Sequence, residues 1–255
     1  AGSGSVKFFV DSSEKMQLDS SGRLLIGATS STSVGGENNQ LQIEGTTAPT
    51  SNVSLTRNSN DAGGCFLKFG KSRGTSTGSN TIVQSGDTIG GLVFNAADGV
   101  DKNISAASIT AHIDGTPGAD DLPGRLVFKT TADGAATSTE RMRIDSSGRA
   151  WLGNDSGYGP NANADDLIVG NRTSGIHHGI TILSHTASSG ALHFGDTSHD
   201  SAGVIKYDHN VGSMQFATET STALTINSSQ NATFAGTVSD SKGNLRSIPQ
   251  NAQGS

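Results

Sequence analysis

Six of the seven histidines in this 255-residue chain fall between His177 and His209. On a threefold axis, one histidine per chain would bring three imidazoles to a point, a geometry that suits zinc or another nitrogen-preferring cation. The spacing argues against it. His177 and His178 are adjacent and, on a strand, face opposite sides, while His193 and His199 stand beside turn residues and none is grouped with Cys or carboxylates. No metal site and no cofactor is expected, and His209, after Tyr207 and Asp208, reads as a turn residue bonded to backbone. Carboxylates raise a second possibility, because glycan hydrolysis needs two carboxyl groups held at a fixed separation across a cleft. Asp120-Asp121 and Asp165-Asp166 are adjacent pairs in Gly-, Pro- and Asn-rich stretches, where Asp serves as a turn former. With no GxSxG elbow, no GxxxxGK[ST] phosphate loop and no HExxH, the chain is not expected to be an enzyme. Only a cleft shared between subunits escapes that test. Cys65, the single cysteine, follows two glycines and precedes Phe66 and Leu67, and reads as a small buried hydrophobe. Trp151, the sole tryptophan, reads as core rather than as a platform for sugar.

The elements that carry these residues are short. Only 32% of residues are hydrophobic, 5% are aromatic and 16% are charged, which is thin for a globular core yet too weakly charged for a typical disordered chain. Apolar residues alternate with polar ones in short runs separated by Gly, Ser, Thr, Asn and Asp, the pattern of strands and turns. So little apolar side chain can still fold if each strand buries its face against copies of itself. Oligomerisation is therefore expected. A net charge of −6 without clustered Lys and Arg excludes a nucleic-acid surface, and apolar runs such as Leu24-Leu25-Ile26 are far too short to insert in a membrane.

One stretch organises the chain. ERMRIDSSGRAWLG, Glu140 to Gly153, repeats EKMQLDSSGRLLIG, Glu14 to Gly27, and a weaker copy runs from Leu224 through Ile226-Asn227-Ser228-Ser229 to Phe234. Each reads as strand, tight turn, strand, with the pairs Met16 and Leu18, Met142 and Ile144, and Leu224 and Ile226 expected to be buried on one face. The same offset, 126 residues, relates Met16 to Met142 and Leu41 to Leu167. Leu67-x-Phe69-Gly70 pairs with Leu192-x-Phe194-Gly195, and Gly90-x-Leu92-x-Phe94 with Gly203-x-Ile205-x-Tyr207. Further strands are expected at Val53-x-Leu55, Ile82-Val83, residues 104–113 and Ile180-x-Ile182. The expected organisation is the end of a preceding module (1–27), a first complete module (28–153), a second, shortened module (154–236) and a polar tail (237–255), in a chain that reads as a piece of a longer protein. In the Asp-Ser-Ser-Gly turns, Asp accepts from amides two residues on and Gly supplies positive φ, while Arg23 and Arg149 are placed to pair with Asp19 and Asp145 of their own or a neighbouring chain.

SGDTIGGLVFNAADG (Ser85 to Gly99), ITAHIDGTPGADDLPGRLVFKTTADG (Ile109 to Gly134) and ERMRIDSSG (Glu140 to Gly148), taken together, resemble the repeating modules of bacteriophage tail fibres and tailspikes, particularly those of marine and cyanobacterial phages. AGVIKYDHNVGSMQF (Ala202 to Phe216) and SDSKGNLRSIPQN (Ser239 to Asn251) are similar to further segments of that family. The resemblance implies an all-β, elongated homotrimeric fibre of β-prism, intertwined β-sandwich or β-helix type. It further implies a place in the virion beside other tail proteins and a host cell-surface glycan or outer-membrane receptor as partner. A glycan depolymerase with an inter-subunit cleft is the alternative, and a bacterial adhesin or the fibre of an injection device shares the same fold logic. Receptor contacts are expected on loops that differ between modules: residues 71–80 with Lys71 and Arg73, residues 114–124 with Asp114, Asp120 and Asp121, and the linker 154–166 with Tyr158.

Overall fold

The structure, a computed structural model, describes residues 4–153, 166–170 and 177–237. The Tyr158 linker, Asp165 and the polar tail beyond residue 237 lie outside them. The fold is all-β, with one helical turn among the described residues, α1 (Ala48–Ser51). Two compact units divide the chain, Ala1–Gly179 and Ile180–Ser255. In the first unit, β1 (Val6–Val10), β2 (Ser13–Leu18), β3 (Leu24–Ile26) and β4 (Leu41–Ile43) make a four-stranded sheet in sequence order. Its six-stranded sheet runs β5 (Thr88–Asn95), β6 (Ser105–Ile113), β7 (Gly124–Thr131), β8 (Ser138–Ile144), β9 (Ala150–Leu152) and β10 (Leu167–Val169). The second unit holds the third sheet: β11 (Ser189–Phe194), β12 (Gly203–Asp208), β13 (Ser213–Thr218), β14 (Ser221–Ile226) and β15 (Ala232–Phe234). All neighbours are antiparallel except β3–β4 and β9–β10.

Register shows how far the repeat extends. Leu92, Ile109, Phe128, Met142 and Leu152 line up across the second sheet, and Leu192, Ile205, Phe216, Leu224 and Phe234 line up in the same order across the third. The next row is Gly90, Ala111, Leu126, Ile144 and Ala150 in one sheet, and Gly190, Tyr207, Met214, Ile226 and Ala232 in the other. This corrects the landmark pairing expected from sequence. Gly90, Leu92 and Phe94 correspond to Gly190, Leu192 and Phe194, and Ile205 takes the place of Ile109. Apolar spacing alone is the same on every strand of such a sheet, so it cannot tell one strand from its neighbour.

Three β-bulges recur at one place, after Phe8, Phe128 and Phe216. Each leaves one residue of the facing strand unpaired, Lys15, Arg141 or Ala223, and that residue's carbonyl accepts the N–H of Gly27, Gly153 or Ala235 at 2.9–3.0 Å. The bulge thus supplies the acceptor that ends the following strand. The tight turns match too. Asp19 accepts from the amides of Ser21 and Arg23 and from Arg23 Nε, and Asp145 does the same with Ser147 and Arg149. Gly22 and Gly148 take φ of +76° and +81° there, and Gln230 takes +65° at the equivalent place in the third copy.

By alternation, each sheet has one apolar face. In the first sheet Val6, Phe8, Met16, Leu18, Leu24, Ile26, Leu41 and Ile43 share it. These faces are largely open in the single chain: Leu92 is 47% exposed, Leu192 49% and Ile144 40%. The hairpin pairs do share equivalent positions, but their expected burial is not met within one chain. What the chain buries is mainly on the opposite faces, including Leu25, Gln17, Val127 and Trp151. Over the first of these, Gln17 Nε2 donates to the carbonyl of Thr29 at 2.6 Å and Gln42 Oε1 accepts from the amide of Thr32 at 2.9 Å, so the loop after β3 folds across it.

The strand expected over residues 104–113 forms as β6 from Ser105, but Val53-x-Leu55, Leu67-x-Phe69, Ile82-Val83 and Ile180-x-Ile182 do not form strands. The sequence alternates there, yet among the described residues no strand pairs with these segments to complete a ladder. Phe69 instead lies against Gly90, where an added Cβ would collide with it, and Ile182 lies against the equivalent Gly190. Cys65 is exposed, not buried, and its Sγ donates to the carbonyl of Leu55 at 3.0 Å.

Candidate functional site

Two of the loops singled out by length meet. Gly70, Lys71, Ser72, Ser79, Asn80, Thr81, Ile82 and Val83 line an open cavity of about 440 Å³ with Leu122 of the 114–124 loop. Each loop is pinned at its base. Arg73 grips Asp87 with two hydrogen bonds, Nε at 2.7 Å and Nη2 at 2.6 Å, and Arg73 N donates to the carbonyl of Thr81. The Arg73 guanidinium and the amide of Gln84 hold the Asp87 carboxyl well below the usual range. In the other loop, Asp114 N donates to the carbonyl of Pro123 at 2.8 Å, while the Asp114 carboxylate accepts from Arg125 at 2.8 Å and from the amide of Ser146 at 3.0 Å. Burial works to raise the Asp114 pKa, but the hydrogen bonds from Ser146 and Arg125 outweigh it and leave the group below its ordinary value.

Asp114 therefore ties its loop to the Asp-Ser-Ser-Gly turn of the module, and Arg73 closes its own loop. Asp121 faces Gly118 in a two-way backbone bridge, with Asp120 between them at φ +56° and exposed. Of the predicted contact residues, Lys71 alone lines the cavity; its Nζ donates to the carbonyl of Ser72 at 3.0 Å. Tyr158 lies outside the described residues.

No family model and no curated protein matches the sequence. Among solved structures, the chain is similar to the carboxy-terminal domain of the bacteriophage T5 L-shaped tail fibre, with a TM-score of 0.42 and 10% identity over 80% of this chain and 99% of that one. It is also similar to the same domain carrying its intramolecular chaperone domain, with a TM-score of 0.42 and 11% identity over 78% and 67% of the two chains.

Sequence reasoning singled out the 114–124 loop without naming Leu122 in it, and stopped short of the lining residues Thr81 and Val83. Leu122 precedes a proline and is 68% exposed, an apolar side chain set in a turn-rich loop, and that was the available signal. The cavity is walled by hydroxyls, an amide, one ammonium and a few aliphatic groups, which suits hydrogen bonding to a neutral or weakly polar surface and supplies no acid–base pair. Among the described residues, no group of three His, Cys, Asp or Glu is placed to hold a metal ion. His193 stands within β11, correcting its expected position beside a turn, and His209 N donates to the carbonyl of Ser188 at 3.0 Å.

Proposed function

We propose that this chain is a segment of a bacteriophage tail fibre that assembles as a homotrimer in the virion beside other tail proteins. It presents receptor-binding loops to a host cell-surface glycan or outer-membrane receptor, without enzymatic activity. The observation that carries the reading is the set of open apolar faces, one per sheet, in a common register. Contiguous apolar patches beyond a few hundred Å² are rare on monomers and mark interfaces. Full burial of one Leu, Ile or Phe side chain contributes about 1.5–3 kcal/mol, so a face with several such residues favours association strongly. Copies related by a rotation axis would turn like faces toward one another, leaving the loops of the candidate site at the periphery. Weak contacts there become firm attachment when several chains engage at once.

Light scattering on the purified chain tests the assembly: three chain masses are expected for a 25.9 kDa chain, and Leu192→Asp is expected to reduce the mass. A folded monomer at micromolar concentration refutes it. The receptor role is tested by replacing residues 71–80 and, separately, 115–121 with short Gly-Ser turns and measuring binding to susceptible cells. Unchanged binding by both folded variants removes these loops from the account.

A further inference from the structure

The second unit carries a groove that differs from the loop site in both place and chemistry. On the face of the third sheet opposite Leu192, Ile205, Phe216 and Leu224, strand alternation sets His193, Val204, Lys206, Gln215 and Ala217. Together with Ser201, Thr220 and Thr222 they line a cavity of about 310 Å³, at the small end of the range of roughly 300–1,000 Å³ for small-ligand sites. No carboxylate lines it. Lys206 has no ion pair among the described residues. Ser201 Oγ donates to Asp200 Oδ1 at 3.0 Å, so its single proton is spent and it accepts from His193 Nδ1–H, also at 3.0 Å. His193 Nδ1 therefore carries a proton, and among the described residues Nε2 has no hydrogen-bond partner, so in the neutral ring it is a free acceptor. Gln215 uses one N–H on Ser213 Oγ at 3.3 Å, leaving its carbonyl and second N–H.

We infer that this groove binds a carboxylate-bearing saccharide, such as a uronic-acid unit of a surface polysaccharide. Lys206 takes the carboxylate as a point charge. Gln215, Thr220 and Thr222 exchange hydrogen bonds with ring hydroxyls, His193 Nε2 accepts one more, and the small apolar floor of Val204 and Ala217 meets the C–H face of the sugar. The inference rests on the fibre reading in one respect: in the assembly it is the apolar face that turns to other copies, which leaves this face in solvent.

The test titrates the full chain with a short oligogalacturonate, its carboxyl-reduced neutral counterpart and a sulfated oligosaccharide, following amide and side-chain shifts by NMR. Binding of oligogalacturonate is expected with a dissociation constant of about 1 mM, with shifts at His193, Lys206 and Gln215. The neutral sugar is expected to bind about tenfold more weakly, as is oligogalacturonate to Lys206→Met. Lys68→Met, which removes an exposed charge from the first unit, is expected to bind as the parent does. Equal affinity for the acidic and neutral sugars, which needs no variant, overturns the proposal. Tighter binding of the sulfated sugar than of oligogalacturonate, or an unaffected Lys206→Met, also overturns it. The mass measured by light scattering separates the two ideas. A trimer that ignores the acidic sugar overturns this assignment alone, and a monomer that binds it upholds the assignment while overturning the trimer.

Discussion

Replacing Trp151 by Phe probes the centre of the repeated turn. In the structure Trp151 is 6% exposed, and its indole N–H donates to Asp145 Oδ2 at 2.9 Å. The guanidinium carbons of Arg149 and Arg143 lie 5.7 and 6.0 Å from the indole ring centre. A hydrogen bond to an ionised partner contributes about 1.5–3 kcal/mol, and each cation over an aromatic face about 0.5–1 kcal/mol, less on Phe than on Trp. Phe keeps most of the buried apolar area, so a loss of about 2–3 kcal/mol is expected at pH 7. The pH dependence has a definite sign. Burial pushes the Asp145 pKa up, and the hydrogen bonds from Trp151, Arg149 and Ser147 more than offset that, so the folded value lies below the ordinary one. A depressed carboxyl contributes stability that is complete above its unfolded pKa of about 3.9 and is lost as pH falls through the lower folded value. Losing one donor narrows the shift, so the deficit of the Phe variant should be full at pH 7 and smaller at about pH 3. Urea unfolding followed by far-ultraviolet circular dichroism, at one fixed chain concentration, measures both. A deficit below about 0.5 kcal/mol at pH 7, or one that is equal at the two pH values, would refute the reasoning.

Gln230→Gly is expected to stabilise the second unit by about 0.5–1 kcal/mol, because Gln230 occupies at φ +65° the left-handed place that Gly22 and Gly148 fill in the other copies; thermal melting reads it. Gly27→Ala and Gly153→Ala should each destabilise by more than about 1 kcal/mol, since both have positive φ and an added Cβ would strike the backbone of Glu44 and Gly170 respectively. A melting temperature unchanged in either variant argues against the close parallel approach of β3 to β4 and of β9 to β10. Arg73→Ala should release the 71–80 loop from Asp87 and open it to limited proteolysis, with cleavage mapped by mass spectrometry to that loop.

The hairpins were legible because two independent signals agreed there: a period of two in Met142 and Ile144, and a turn whose Asp and Gly have a mechanical role. The partners of Arg23 and Arg149 followed from the same turn and are found in their own chain, at 2.7 Å in both copies. Which face is covered was not legible. Alternation says that Met142 and Ile144 share a side, but whether that side is closed depends on neighbours that no local pattern encodes. The same limit applies to Val53-x-Leu55 and Leu67-x-Phe69, where a strand-like sequence pairs with no strand among the described residues. At the candidate site, loop length pointed to two loops that meet at one cavity, but the individual residues were harder. Asp114 and Arg73 looked like free polar groups in sequence, and both are committed to partners 11 and 14 residues away. Lys206 was passed over, and His193 was weighed only as a metal ligand, because no sequence motif joins residues that meet only across neighbouring strands.

The connection between the second and third strands of the meander differs between the two larger sheets in a telling way. Residues 114–123 join β6 to β7, residues 209–212 join β12 to β13, and the rows of paired residues on either side are the same. Its ends are held by the ladder itself and, in the longer form, by Asp114 and Pro123 across its base. The scaffold is therefore indifferent to what is inserted there. Under selection, such a position can gain, lose or exchange segments by recombination without a compensating change elsewhere. In the laboratory, it is a natural point for grafting a foreign peptide.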